Sequence, residues 1–219
     1  MSKTITRSEG NFVEQSRVAL TNVETQPSIL SAMQPFGYTA EKLEQGKSLL
    51  QNAKNALSFN QQEDNETIAA RADFDALRDE LDQAYRMDRK KAKVAFRKDP
   101  QVLQMLGLIG AAPRAYVKWV EGLKKFYNTA SGNDTIGQGL ATMLISAEAI
   151  NERMTKITAL EAARAEYLRE IGESQDATKQ KDKAMAELDD WMRDFYAIAK
   201  IALEDQPQLL EALGKKVKS

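Results

Sequence analysis

The 219-residue chain contains no cysteine and no histidine. The absence of cysteine excludes disulfides, thiolate metal sites and thiol nucleophiles, and it is compatible with a reducing compartment. The absence of histidine excludes histidine general bases, Ser-His triads and histidine-ligated zinc or haem. Because no activating base stands beside any serine, tyrosine or lysine either, we predict that the protein is not an enzyme and that it binds no cofactor.

Long apolar runs are also missing. No stretch of about 18 apolar residues occurs, so we predict no transmembrane segment. The first residues, MSKTITRSEGNFVEQ, lack the apolar core of a secretory signal, and we therefore expect a cytoplasmic protein. The formal net charge is only −1, which argues against a globally basic nucleic-acid binder.

Proline is scarce, with 5 residues, and helical patterns fill nearly the whole chain. Residues 40–98 contain no proline and a single glycine, which predicts one long helix. A second long helix is expected from about Thr135 to Leu203. Proline removes an amide donor and clashes with the preceding turn, so we expect a kink or break near Pro35.

A short motif occurs twice. DPQVLQMLG spans residues 99–107 and QPQLLEALG spans residues 206–214, an offset of 107 residues. Four more pairs keep this offset without a gap: FVE with WVE, TAE with SAE, ELD with ELD, and AKVAF with AKIAL. We interpret the chain as a tandem duplication, with a first helical repeat over residues 1–107 and a second over residues 108–219, intertwined as one structural domain.

These features predict an all-α fold. The expected architecture is an elongated antiparallel helical bundle or coiled-coil hairpin, with helical clusters at both ends and a pseudo-two-fold axis relating the repeats. Leu43, Leu50 and Leu57 recur every seven residues, as do Ile150 and Ile157, and this spacing is typical of helices packed at a shallow angle. The alternative is a compact bundle in which the long helices fold back at their polar middle.

The most basic segment, RMDRKKAKVAFRK at residues 86–98, has seven basic residues and one acidic residue. In the predicted fold it lies at one end, whereas residues 1–45 and 186–219, with nine basic and twelve acidic residues, lie at the other. The residues expected to contact an anion or a partner are Arg86, Arg89, Lys90, Lys91, Lys93, Arg97, Lys98, Lys118, Lys124 and Lys125.

This basic segment has two explanations. Basic residues are favoured at a helix C-terminus, where they offset the helix dipole, but the effect fades within the last turn and covers Arg86 poorly. The other explanation is an anionic partner. The nearby aromatic residues could stack on bases, yet Phe12 stands in the place of Trp119 and Leu203 in that of Phe96, so we predict that the aromatic residues belong to the core.

We therefore predict a non-enzymatic helical scaffold or protein-interaction module, which would self-associate through its oppositely charged ends. The alternative is a binder of nucleic acid or of an anionic surface through residues 86–98. Acidic residues at 63–66 and 166–176 could hold Mg²⁺ or Ca²⁺. Exposed helix faces have the same composition, so we expect no metal site there.

Overall fold

The computed structural model describes residues 7–215, and within that range it contains helices and no strand. The prediction of an all-α fold is confirmed. The α-helices are α1 (Arg7–Thr25), α2 (Pro27–Met33), α3 (Ala40–Ala95), α4 (Pro100–Met105), α5 (Tyr116–Ser131), α6 (Asp134–Ala141), α7 (Ala147–Ala202) and α8 (Leu209–Ala212), with a 3₁₀ turn at Gln34–Phe36. None of them is both long and apolar enough to cross a lipid bilayer. The outer ends of the predicted repeats, residues 1–6 and 216–219, lie outside the described residues.

The described residues form two compact units, and the boundary between the units falls within α3 and within α7. We call Thr67–Glu170 the central unit. We call the other one the terminal unit, and its described part lies within Met1–Glu66 and Ile171–Ser219. The terminal unit contains α1, α2 and α8 with the first part of α3 and the last part of α7. The central unit contains α4, α5 and α6 with the remaining parts of the two long helices.

In the terminal unit, the short helices cover an apolar surface of α3 and α7. Leu20 on α1, Ile29 on α2, Leu43 on α3 and Phe195 on α7 are fully buried and belong to one cluster. Each helix presents only a stripe of apolar side chains, so several helices must meet to enclose them.

Two close contacts fix how α3 and α7 pack in the terminal unit. The ring of Trp191 lies directly on Gly46, where an added Cβ would stand 2.5 Å from the nearest ring carbon. Ser174 Oγ donates a hydrogen bond of 2.7 Å to Asp64 Oδ1. The residue numbers fall along one helix as they rise along the other, so the two helices run antiparallel in this unit.

The core of the central unit is rich in aromatic side chains. Tyr85 on α3 packs edge-on against Phe126, which in turn packs edge-on against Tyr127, with ring centroids 5.8 and 5.0 Å apart. Other fully buried residues of this core are Leu81, Ala92, Leu106, Leu123, Leu140 and Leu160. Helix α5 contributes Leu123, Phe126 and Tyr127 to it.

A tight turn precedes each of the two long helices. Near Pro35 the break is complete, because the 3₁₀ turn ends at Gly37 with a φ of 89°. The continuous helix expected from Thr135 to Leu203 is wrong: α6 ends at Ala141, and α7 begins at Ala147. Leu144 adopts a φ of 59°, which reverses the chain and lets the Ile145 amide donate to the carbonyl of Leu140 at 3.1 Å. Neither glycine nor proline marks this turn in the sequence.

Replacing Leu144 by glycine should stabilise the protein. A left-handed conformation costs an L-residue about 1–2 kcal/mol, and glycine relieves this at an entropic cost of roughly 0.5–1 kcal/mol. The leucine side chain is 88% exposed, so its removal leaves no cavity. We expect L144G to raise the free energy of unfolding, measured by urea denaturation, by roughly 0.5–1 kcal/mol. The control is G37A, which places a Cβ in a left-handed turn and should lower that free energy. An L144G variant less stable than the parent would contradict the strain argument.

Candidate functional site

Four of the predicted binding residues form a continuous surface in the central unit. Arg86, Lys90 and Lys93 lie on α3, and Arg97 lies in the turn that follows it. Residues three or four positions apart share one face of a helix, and all four side chains are exposed. We call this surface the cationic stripe.

Much of the charge on the cationic stripe is not neutralised. Arg86 forms an ion pair with Asp82 at 2.7 Å, and Lys93 Nζ lies 3.4 Å from the carbonyl oxygen of Gly110. Within residues 7–215, neither Lys90 nor Arg97 has a carboxylate within ion-pair distance. Both side chains are therefore available to a partner.

Arg89 is turned away from the other basic residues. It is only 6% exposed, and its Nη1 donates to the carbonyl of Gly107 at 2.9 Å and to the Tyr85 hydroxyl at 3.1 Å. Its guanidinium also lies over the Tyr85 ring, 5.3 Å from the centroid. Because these bonds are internal to the central unit, Arg89 is not part of the surface that we consider for binding.

The remaining predicted binding residues surround the stripe less regularly. Lys98 and Lys118 are exposed, and Lys91 is half-buried. Lys124 forms an exposed ion pair of 2.7 Å with Glu161 on α7. The aliphatic part of Lys125 packs beside Gly107. The structure thus brings four of the ten residues into one surface and gives several of the others local partners.

The aromatic residues near the basic segment are in or against the core, as predicted. Trp119, Phe126 and Tyr127 are buried, and Tyr116 is half-buried. Tyr127 donates a hydrogen bond of 2.8 Å to Asp88 Oδ2, and burial together with this carboxylate raises the pKa of the tyrosine well above its ordinary value. Phe126 and Tyr127 therefore present no open face for base stacking, whereas Tyr116 and Trp119 line a cleft.

A cleft in the central unit was not anticipated from the sequence. It has a volume of about 620 Å³, and its lining residues are Arg78, Asp79, Asp82, Arg86, Ala111, Ala112, Pro113, Arg114, Tyr116 and Trp119. One side is a charged face of α3, and the other is the segment that leads into α5. Sequence periodicity describes helices, and it carries no information on the path of such a connecting segment.

The aromatic side of the cleft is polar as well as apolar. The guanidinium carbon of Arg164 lies 3.8 Å from the centroid of the Tyr116 ring. Burial raises the pKa of Tyr116, and the positive charge of Arg164 partly opposes this. Within the described residues, the Tyr116 hydroxyl and the Trp119 Nε1 are buried without a hydrogen-bond partner.

The acidic residues considered as metal ligands have varied surroundings. Glu63 and Glu170 are buried, whereas Glu66 is exposed. Glu166 and Asp176 are exposed and form ion pairs with Arg169 and Lys179, three residues further along α7. The hydrogen bond from Arg169 lowers the pKa of Glu166. Local ion pairs of this kind are ordinary on exposed helix faces.

Comparison with known proteins found no family model that matches the chain, no similar curated protein and no similar solved structure. Two features of the central unit could receive another molecule: the cationic stripe and the cleft.

Arg89 and Lys90 are neighbours in sequence with opposite roles, and their alanine variants should differ. We expect R89A to lower the free energy of unfolding by about 2–3 kcal/mol, because two hydrogen bonds to a charged donor are lost inside the unit. K90A removes an exposed side chain and should change the free energy of unfolding by less than about 0.5 kcal/mol. Urea denaturation followed by helical circular dichroism measures both. Equal stability of the two variants would show that the Arg89 guanidinium does not hold the fold.

Proposed function

We propose that the protein is a non-catalytic helical interaction module, and that it holds an acidic protein surface with the cationic stripe. The observation that carries the proposal is a set of exposed basic side chains along α3 and the turn after it, of which Lys90 and Arg97 have no carboxylate partner within residues 7–215. Positive charge concentrated on one face attracts acidic partners and speeds their association.

We also propose that the chain is a tandem duplication with repeats 1–107 and 108–219. In support, α3 and α7 are both 56 residues long, and their first and last residues are 107 positions apart. The helix-ending turns match as well: Gly107 and Gly214 have φ values of 66° and 77°. The elongated hairpin expected from the sequence stays a prediction, which small-angle scattering would test.

Side-chain contacts at matched positions support the duplication further. Thr129 Oγ1 lies 3.5 Å from the carbonyl oxygen of Met105, and Asn22 Nδ2, at the position 107 residues earlier, lies 2.5 Å from that of Ala212. Phe74 and Tyr116 pack their rings 5.8 Å apart in the central unit.

In the terminal unit, the positions that match Phe74 and Tyr116 are Lys181 and Glu9, which form an ion pair of 2.9 Å. Burial alone lowers the pKa of Lys181, but hydrogen bonds to Glu9 and Asp182 outweigh it, and the net shift is upward. An aromatic pair in one unit and an ion pair in the other therefore fill the same place.

Exchanging this ion pair for the aromatic pair tests the duplication. E9Y leaves the buried Lys181 without its main partner and should lower the free energy of unfolding by roughly 1–3 kcal/mol. In the double variant E9Y/K181F two rings can pack as they do in the central unit, and its stability should return to that of the parent or exceed it. A double-mutant cycle by urea denaturation measures the coupling. If the free energy of unfolding of the double variant falls by the sum of the decreases in E9Y and K181F, the pair at residues 9 and 181 is not equivalent to the pair at residues 116 and 74.

The charges of the stripe are only partly kept at the matched positions. Arg193 forms an ion pair with Asp189 at 2.9 Å, as Arg86 does with Asp82, and Lys93 is matched by Lys200. At the positions that match Lys90 and Arg97, however, the chain has an alanine (197) and a glutamate (204). The fold therefore does not need the two unpaired charges of the stripe. This comparison supports a role for the stripe other than folding.

A second copy of the chain supplies a suitable acidic surface. Exposed acidic residues follow the last part of α7 and the turn after it, namely Glu187, Asp190, Asp194, Glu204 and Asp205. Contact between the stripe of one copy and this acidic surface of another joins different patches, so it propagates head to tail unless the assembly closes into a ring. We therefore propose self-association as the first partner to test.

Charge reversal of the stripe should abolish this assembly. In sedimentation velocity we expect faster sedimentation at about 20 mM salt than at about 500 mM salt, because salt screens exposed charges. K90E/K93E/R97E should sediment as a monomer at both concentrations. The charge-conserving variant K90R/K93R/R97K is the control and should behave as the parent does. Sedimentation that is independent of salt in the parent would remove the self-association proposal.

Nucleic acid remains the alternative partner for the same stripe. The rings of Trp119, Phe126 and Tyr127 are buried, so contact with phosphates is the one mode that the described surface supports. Fluorescence anisotropy with a labelled DNA duplex distinguishes the two partners. Binding of the duplex at salt concentrations that leave the protein monomeric would favour this alternative.

A further inference from the structure

We infer that the cleft between α3 and the start of α5 binds a small ligand in which a phosphate or carboxylate group is attached to a planar apolar group. The inference goes beyond the proposed function, because it concerns the cleft, which shares only Arg86 with the cationic stripe, and a small ligand instead of a protein surface. It rests on the charges of the cleft, on the backbone at its end and on its aromatic wall.

The charges that line the cleft favour an anion of low charge. Three of the lining residues are arginines, and two are aspartates. Arg86 is paired with Asp82, whereas Arg78 and Arg114 have no carboxylate within ion-pair distance among residues 7–215. Guanidinium groups match the geometry of phosphate and carboxylate oxygens in bidentate hydrogen bonds.

The backbone at the end of the cleft adds hydrogen-bond donors. Helix α5 is 16 residues long, and its N-cap residue is Ala115, which has no side chain that could accept from the first amides. The first four amides of a helix have no partner within the helix, and the positive end of the dipole favours an anion there. Arg114 and Tyr116 line the cleft and flank this uncapped end, so the positive end of the helix dipole lies next to Arg114.

The remaining wall is apolar and aromatic. Ala111, Ala112 and Pro113 line it together with the ring of Trp119, which is 5% exposed. Its Nε1 lacks a hydrogen-bond partner within the described residues, as does Trp191 Nε1 in the terminal unit. The wall therefore offers apolar contact to a planar group, beside Arg78 and Arg114, which have no carboxylate partner among residues 7–215.

The size of the cleft fits a small molecule. Its volume of about 620 Å³ lies within the range of about 300–1,000 Å³ that is usual for small-ligand sites. At the positions 107 residues away, Arg86 and Arg114 are matched by Arg193 and Arg7, whereas Arg78 is matched by Met185. One of the three positive charges of this cleft is therefore not repeated.

Nuclear magnetic resonance of the two tryptophan indole groups tests the inference in the intact protein. The probe is phenyl phosphate, and the W191F variant assigns the two indole N–H signals. We expect a saturable shift of the Trp119 signal while the Trp191 signal, from the terminal unit, stays in place. Phenol lacks the anion and inorganic phosphate lacks the ring, and each should bind at least about tenfold more weakly. Phenylacetate in a parallel titration distinguishes a carboxylate ligand from a phosphate ligand.

Substitutions separate the cleft from the cationic stripe. R114A should weaken phenyl phosphate binding by about tenfold, which corresponds to the loss of one charged contact. R193A is the control, since it removes an exposed arginine of the terminal unit that does not line the cleft. K90E/K93E/R97E should retain binding within about threefold, because these residues do not line the cleft.

Three results would overturn the inference. In the first, the chemical shift of the Trp119 indole N–H does not reach a plateau as phenyl phosphate is raised to about 10 mM. Another is an R114A variant that binds as well as the parent, or an R193A variant that loses as much. The third is a K90E/K93E/R97E variant that loses binding entirely, which would place the ligand on the stripe. Since self-association is measured without phenyl phosphate, its failure and the failure of the cleft proposal are distinguishable.

Discussion

Two long helices cannot enclose their apolar side chains by themselves, and the rest of the structure follows from the need to cover them. In the terminal unit α1 and α2 provide the cover, and in the central unit α5 and α6 do so. At about 25 cal/mol per Å² of apolar surface, this burial is the main source of stability in each unit. The cleft is a by-product of the same requirement. Helix α5 must lie on Tyr85 and Leu81, so the segment that leads into it passes beside the charged face of α3.

The direction in which a basic residue faces, rather than its place in the sequence, separates a structural from a surface role. The turn after α4 leaves backbone carbonyls without helical partners, and such groups need donors when they are buried. Arg89 supplies the donor in the central unit. In the terminal unit the residue 107 positions further on is Tyr196, and its hydroxyl donates to the carbonyl of Leu213 at 3.0 Å. A neutral donor therefore serves in that turn, and the residue after it is an exposed alanine at 197, where the central unit has Lys90.

Much of the architecture was readable from the sequence, because its signals are local. Pro100 and Gly107 mark the start and end of α4, and the absence of proline over residues 40–98 predicts α3. The turn at Leu144 was missed, since a leucine in a left-handed conformation gives no local signal. The pairing of TAE with SAE would have found it, because Ser146 then caps α7 as Thr39 caps α3. For the surface features, charge composition pointed to the segment that carries the cationic stripe. It did not reveal that Arg89 is buried, or that residues 111–114 shape a cleft, because both depend on how distant segments pack.

The central unit is one continuous stretch of chain, whereas the terminal unit joins two stretches that are more than a hundred residues apart. Contacts between distant segments form slowly, since a long loop has to close before they stabilise anything. A nascent chain therefore has everything that the central unit needs well before Leu188 and Phe195 have been synthesised. Until those residues leave the ribosome, α1 and α2 lack part of their apolar cover. The order of translation thus makes the N-terminal helices the segment that a chaperone, or another nascent copy, meets first.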